Sequence, residues 1–437
     1  MSLLSKKNIR FTIIFISVLC NHLLFTISCN SSANTDKKTS DSLVILKLPA
    51  AGNVSVVERE RIKNACELWY DTVLKTKGFN GGMIVAKEGN IIFEKYTGTG
   101  HLPGKDTITA NSPMHIASIS KTFTAMAVLK LQQDGKLNID EEFSKYFPQF
   151  NYPGVTIRNL LSHRSGLPNY THFLENLKWD KNRFITNAEL LDFLITRKTE
   201  LTDIIPPNTH FSYCNTNFAL LALLIEKVTG IKYADYLNNT FFKPLQMKNT
   251  YVFTLADTLK AMPSYNWKGI PEGYTFLDQV YGDKNIYTTP VDLLTWDRAL
   301  SSNIIFTNET LEQAYAPYSN EKPGIRNYGL GWRMNIFPEG HKIIYHNGWW
   351  HGSNAAFIRL LNEKATIIVI GNKFTRSIYD ARILTSIFGE YYKQDEEEEP
   401  GLLKDSLSVF DSRIVTNTDR LTPLKTKKNL SKKKSKQ

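Results

Sequence analysis

Apolar positions divide the chain into β-patterned ends and a helix-patterned middle. Ile62, Cys66, Trp69 and Val73 recur at helical spacing and predict a first helix from Val56 to Lys77. Met83–Ala86 and Ile91–Phe93 are short β-rich runs around Lys87-Glu88-Gly89-Asn90, the pattern of a hairpin. The stretch through Phe123, Met126, Val128, Leu129 and Leu131 is apolar on nearly all sides. It predicts a buried central helix that opens at Ser118 and stops at Asp134-Gly135. Further helices are expected over Asn187–Arg197 and over Asn217–Thr229, with Gly230 as the stop. Thr289-Pro290-Val291-Asp292 opens another, to Leu300: threonine as N-cap, proline at the first helical position, an acid three residues after the cap.

From Lys342 the pattern returns to β. Lys342–Tyr345, Ala355–Ile358 and Thr366–Ile370 read as three strands, followed by a last helix over Ala381–Lys393. Strands at both ends with helices between them imply an α/β protein of the α+β kind. An antiparallel sheet is formed by N- and C-terminal segments, flanked by helices, with a mostly helical region inserted. The expected domain spans 56–395, its sheet part 56–110 and 300–395, its helical part 111–299.

Charge changes the reading of the termini more than of the body. The net charge is +11, but three positive charges lie at Lys6, Lys7 and Arg10 and seven more between Lys425 and Lys436, which leaves about +1 for the rest. A nucleic-acid surface is therefore not indicated. Residues 1–28 read as an export signal: a basic start, an apolar run from Phe11 to Cys20, then Leu23 to Ile27. Thr26-Ile27-Ser28-Cys29 resembles the lipobox of bacterial lipoproteins, with threonine in place of the usual leucine, and makes Cys29 the candidate lipidation site. The expectation is an exported protein, periplasmic or membrane-anchored through Cys29, with a flexible tether over 29–55 and a charged tail over 396–437. Cys20 falls in the leader; Cys66 and Cys214 are expected as buried small residues.

One stretch carries chemistry. Ser118 and Lys121 are spaced to put a hydroxyl and an amine on one helix face. An alcohol needs an adjacent base to act as a nucleophile, and a lysine serves where burial or a neighbouring cation disfavours its charged form. The spacing alone is weak, since Ser319/Lys322 and Ser431/Lys434 share it. Tyr213-Cys214-Asn215 likewise has competitors at Tyr236, Tyr318 and Tyr345. Scattered histidines raise the question of zinc, but there is no His-x-x-x-His and no Cys-x-x-Cys.

Taken in order, Ser118-Ile119-Ser120-Lys121, Leu161–Pro168, Phe211–Asn215, Tyr328-Gly329-Leu330-Gly331-Trp332 and His346-Asn347-Gly348 resemble the successive motifs of the serine β-lactamase and penicillin-binding-protein family. The match is to its class C-like branch, which includes D-Ala-D-Ala carboxypeptidases, D-aminopeptidases and esterases, and it covers roughly residues 56 to 393. The resemblance implies a β-lactamase-like fold and no cofactor or metal. It makes Ser118 the acylated nucleophile, Lys121 its partner and Tyr213 a sharer of the proton traffic; which of the two takes the first proton stays open. It implies that Asn215 binds Lys121 or a substrate carbonyl. Gly348 would let substrate backbone approach, and the N–H groups of Ser118 and Trp349 would form an oxyanion hole.

His346 stands where many β-lactamases carry the lysine of Lys-Thr-Gly, and a neutral imidazole attracts a carboxylate less than an ammonium does. The reading is thus a carboxypeptidase-like or esterase activity on a small peptide or ester, with peptidoglycan-derived peptides favoured. The alternatives are a β-lactamase, or a binding protein for penicillin or wall fragments without turnover. Trp349, Trp350 and His351 form an aromatic wall in this reading. Asn169–Pro207 and Thr254–Asp283 would shape the pocket, and His163 is structural.

Overall fold

The computed structural model describes residues 44–102, 104 and 106–391; the leader, Cys29 and the charged tail lie outside them. Helix α1 (Val56–Trp69) is capped by Ser55, whose side chain accepts from the Glu58 N–H. Its winding continues through a π turn and a 3-10 turn to Lys77 and ends at Gly78, whose φ of 68° is left-handed. Strands β1 (Gly81–Lys87) and β2 (Asn90–Thr97) form the expected hairpin. Glu88 and Gly89 at its turn both have positive φ, 52° and 76°, the geometry that matches strand twist in a two-residue loop.

The other strands come from the C-terminal third: β3 (Arg326–Tyr328), β4 (Arg333–Ile336), β5 (Lys342–Trp350), β6 (Ser353–Leu360) and β7 (Ala365–Gly371). They join the hairpin in one antiparallel sheet of order β2-β1-β7-β6-β5-β4-β3. The early hairpin closes on the last strand, Ile84 opposite Ile368, as the terminal β patterns imply. Both faces are covered. Ile84, Ile368 and Ile370 pack into the core shared with the helical region, while Met83, Val85, Ile367 and Val369 pack against α1 and the C-terminal segment. Burial on both faces is why these strands read as unbroken apolar runs.

Helix α2 (Ser120–Gln133) crosses the core; α3 (Asn187–Thr196) packs on α4 (Asn215–Thr229), which packs on α2, while α5 (Pro290–Leu300) lies on β1 and β7 and stacks Trp296 on Phe123 of α2. The predicted caps are present: Thr289 accepts from the Asp292 N–H, and Gly230 ends α4 at φ 70°. A capping box of Thr186 and Glu189 opens α3. No helix among the described residues is long and apolar enough to cross a membrane.

Three expectations need correction, and two strands were not expected. Residues 46–52, placed in the tether, bond to the body: Leu46 N–H to the Pro244 carbonyl at 2.9 Å and Gly52 N–H to the Glu88 carbonyl at 2.8 Å. The last helix begins earlier and is a 3-10 segment, Arg376–Ile387. Its apolar residues Ile378, Ala381, Leu384 and Ile387 recur every third position, the period of that helix. β5 runs on past the expected end at Tyr345, through His346-Asn347-Gly348 to Trp350. β3 and β4, too short and polar to stand out, went unseen; a turn of Gly329–Trp332 joins them.

Candidate active site

Ser118 lies in a single 3-10 turn, Ala117–Ile119, that feeds into α2. Ala117 has φ 46°, an uncommon conformation for a residue with a Cβ. The turn is held from both sides by the short strand Ile286–Thr288: Ile116 N–H donates to the Ile286 carbonyl, and Ile286 N–H to Ser120 Oγ, each at 3.0 Å. Lys121, in the first turn of α2, is fully buried. Its Nζ donates to Ser118 Oγ at 3.1 Å and to the Asp283 carbonyl at 2.8 Å, and lies 5.0 Å from the Tyr213 ring centre.

Tyr213 is set by His163. The His163 carbonyl accepts from Ser212 N–H at 2.9 Å and its Nδ1 accepts from Cys214 N–H at 3.1 Å, so both amides flanking Tyr213 are gripped by one residue. The two rings are 4.4 Å apart. His163 itself has φ 56° and is buried. With Nδ1 accepting, the proton is on Nε2, which has no hydrogen-bond partner among the described residues; the imidazole packs against the rings of Phe211, Phe218 and Tyr328. Burial, then the Lys121 charge, hold this imidazole far below its ordinary range.

Ser118, Tyr213, Asn215, His346 and Gly348 line one cleft of about 870 Å³, with Trp349 at its mouth. The expected site residues in the described part of the chain are thus brought together. His346 is buried and neutral: burial first, then the Arg333 and Lys121 charges, depress it far below the usual imidazole range. Its ring nitrogens face the Asn347 carbonyl at 2.7 Å and the Tyr328 hydroxyl at 3.3 Å. Gly348 makes its close approach to the protein's own backbone: a Cβ there would stand 2.1 Å from the Ile116 carbonyl oxygen. β5 pairs with β4 only up to Tyr345 but with β6 up to Trp350, so His346–Trp350 presents an edge that no other described strand pairs.

Trp349 is 64% exposed and packs at a tilt against Phe374, whereas Trp350 and His351 are tied to Asp278. Trp267, 66% exposed, also lines the cleft.

The model of the family described as Beta-lactamase matches residues 70–385. This chain belongs to that family. Penicillin-binding protein 4* of Bacillus subtilis is 30% identical over 75% of this chain and 76% of its own length. Among solved structures, a penicillin-binding protein from Bacillus halodurans superposes with a TM-score of 0.64 at 24% identity, covering 72% of this chain and 98% of that one. A class C β-lactamase mutant gives 0.64 at 20% identity over 77% and 99%. The D-amino acid amidase of Ochrobactrum anthropi SV3, with L-phenylalanine amide, gives 0.61 at 21% over 76% and 97%. These share the β-lactamase-like fold.

Within this family member, Arg333 is a site residue that the sequence reading did not single out. It begins β4, directly after the Tyr328–Trp332 motif, and its guanidinium lies 5.2 Å from the Tyr213 ring centre, lining the cleft. Position beside that motif was the available signal. Tyr379 was missed too: its hydroxyl donates to the Gly348 carbonyl at 2.9 Å and steadies β5.

Proposed function

We propose that the protein is an exported serine hydrolase that cleaves an amide or ester bond of a small peptide-like substrate through an acyl-enzyme on Ser118. The observation that carries this is the 3.1 Å contact between Ser118 Oγ and the buried amine of Lys121, at the floor of a cleft bounded by a strand edge that no other described strand pairs. Ser118 Oγ attacks the substrate carbonyl carbon and its proton passes to Lys121 or Tyr213. The electron pair displaced onto the carbonyl oxygen is met by the N–H groups of Ser118 and Trp349. Collapse breaks the bond to the leaving group, which takes up the proton. Water, activated by the same pair, then hydrolyses the ester and restores Ser118.

The edge of His346–Trp350 suits an extended peptide added alongside it, and Asn215 suits its amide carbonyl. Arg333 supplies a cation that the His346-Asn347-Gly348 motif does not, which favours a substrate with a free carboxylate. Carboxypeptidase-like or esterase activity is therefore preferred over efficient β-lactam hydrolysis. The resemblance to Penicillin-binding protein 4*, a protein named for binding penicillin, supports a serine that penicillin can reach. The test is labelling by fluorescent penicillin and by a serine-reactive phosphonate, followed by turnover of a D-Ala-D-Ala peptide and a small ester. Ser118→Ala is expected to abolish labelling. Labelling that survives it overturns the assignment, and labelling without turnover of any substrate leaves a binding protein.

Export and a lipid anchor on Cys29 belong to the same proposal. The mass of the mature N-terminus tests it: cleavage before a diacylated Cys29 is expected, and an unmodified Cys29 counts against the anchor.

A further inference from the structure

Lys121 leans on a main-chain carbonyl whose own residue is locked into a buried ion pair. The Asp283 carbonyl accepts from Lys121 Nζ at 2.8 Å, while its carboxylate accepts from the Tyr170 hydroxyl at 2.7 Å and lies 3.4 Å from Lys284 Nζ. Lys284 also donates to the Tyr170 hydroxyl and sits 4.7 Å from the ring centre of Trp350 in the cleft wall. Asp283, Lys284 and Tyr170 are all buried. The segment that carries them is pinned at both ends by left-handed residues, Gly282 at φ 97° and Asn285 at φ 78°. The Gly282 carbonyl accepts from Thr124 of α2 at 2.6 Å, and the Asn285 amide donates to the Asp278 carbonyl at 2.6 Å.

Removing two charges from water is costly, and an apolar pair of similar volume often stabilises a core as well or better. Stability alone is thus a poor reason for an Asp–Lys pair here. The two buried amines also feel each other. Burial disfavours the charged form of Lys284 most, Asp283 and Asp278 oppose that, and Lys121 adds to it.

We infer that Asp283, Lys284 and Tyr170 form a positioning unit that fixes the carbonyl holding Lys121 against Ser118 and balances the charge beneath the reacting pair. This rests on the acyl-enzyme reading of Ser118. The other titratable groups facing Lys121 are Tyr213, His163, His346 and the Cys214 thiol. Burial keeps both histidines neutral and pushes the thiol up. Arg333 acts from beyond the Tyr213 ring. Against that background the Asp283–Lys284 pair is a source of ionic charge that substitution can unbalance in either direction.

Three variants separate this role from a structural one, read out as the rate of Ser118 labelling by fluorescent penicillin across pH. Lys284→Met leaves an unopposed carboxylate, which holds the proton on the Lys121–Tyr213 pair, so the acid limb is expected to move up by about one pH unit. Asp283→Asn leaves the Lys284 ammonium opposed only by the weaker influence of Asp278, and the limb is expected to move down. Tyr170→Phe loosens the unit without changing charge: the limb stays, and the limiting rate falls about tenfold with little change in apparent affinity. Opposite shifts of the two charge variants support the unit, because simple damage has no reason to move them apart. If either charge variant fails to fold, the rate-against-affinity split of Tyr170→Phe decides. Limbs that stay put in folded variants, or a Tyr170→Phe rate within twofold of wild type, overturn the inference. A wild-type protein that neither penicillin nor phosphonate labels overturns the acyl-enzyme reading instead.

Discussion

Gly348 of β5 lies so close to Ile116 that a Cβ would stand 2.1 Å from the Ile116 carbonyl oxygen and 3.3 Å from the Cβ of Ala117. This glycine therefore sets the distance between the strand edge and the Ser118 turn. Any side chain must push the two apart. Gly348→Ala is expected to slow Ser118 labelling by about 10²-fold, as a shift of about 1 Å in reacting groups does, and to cost about 1–3 kcal/mol from overpacking. Labelling kinetics with a urea melt check both; a wild-type labelling rate in the variant refutes the spacing role.

His163 grips the amides on either side of Tyr213, one through its carbonyl and one through Nδ1. His163→Ala leaves the Cys214 N–H unpaired in the interior, a loss of about 1–3 kcal/mol. It also releases the Tyr213 backbone on the Cys214 side, while the main-chain carbonyl still accepts from Ser212 N–H. Labelling and deacylation are both expected to fall about tenfold or more, with partial recovery in His163→Asn, whose side-chain oxygen can accept. Stopped-flow labelling and release of the bound label check this. Equal losses in both variants would point to packing instead of the hydrogen bond.

Much of this site was legible because its residues are tied to local patterns. The Ser118–Lys121 pair introduces an apolar helix, Tyr213 precedes and Asn215 opens another with a glycine stop, and the order of the family-like motifs singles them out from the competing pairs. What could not be read depends on tertiary approach. Arg333 opens a strand of four residues, too short to show alternation, and reaches the cleft only because β4 stops pairing where β5 continues. Gly348 read as room for substrate, yet the nearer neighbour is Ile116, which only the fold brings there. The 3-10 character of Arg376–Ile387 was present in the every-third spacing of its apolar residues, masked by the commoner expectation of an α-helix.

Arg333 brings a guanidinium to a cleft whose third motif carries a neutral histidine. A substrate carboxylate met there gains a charge-assisted contact. Arg333→Ala is expected to raise KM about tenfold or more for a peptide with a free C-terminal carboxylate, while the same peptide as its C-terminal amide is affected less than threefold. Paired kinetics on the acid and the amide check it. Equal effects on both would assign Arg333 to holding Tyr213 instead.

Three buried histidines make stability depend on pH in one direction. Burial pushes His115 down to about 3, and His163 and His346 well below the ordinary imidazole range, with the Lys121 and Arg333 charges adding at the latter two. In the unfolded chain each takes up a proton near 6.5. The unfolded state therefore binds more protons below that value. The contribution of each neutral histidine is intact above about pH 6.5 and is lost as pH falls, by about 1.4 kcal/mol per pH unit per histidine. Urea unfolding between pH 7.5 and 5.0 should show stability dropping on the acid side, carboxylates adding their own slope. His115→Gln isolates the effect outside the cleft, since the Gln side-chain oxygen reaches the place of Nε2 and can still accept from the Asn285 N–H that His115 Nε2 now receives at 3.3 Å. The variant is expected to lose about one proton's worth of slope; parallel pH profiles for variant and wild type would show that His115 is protonated equally in both states.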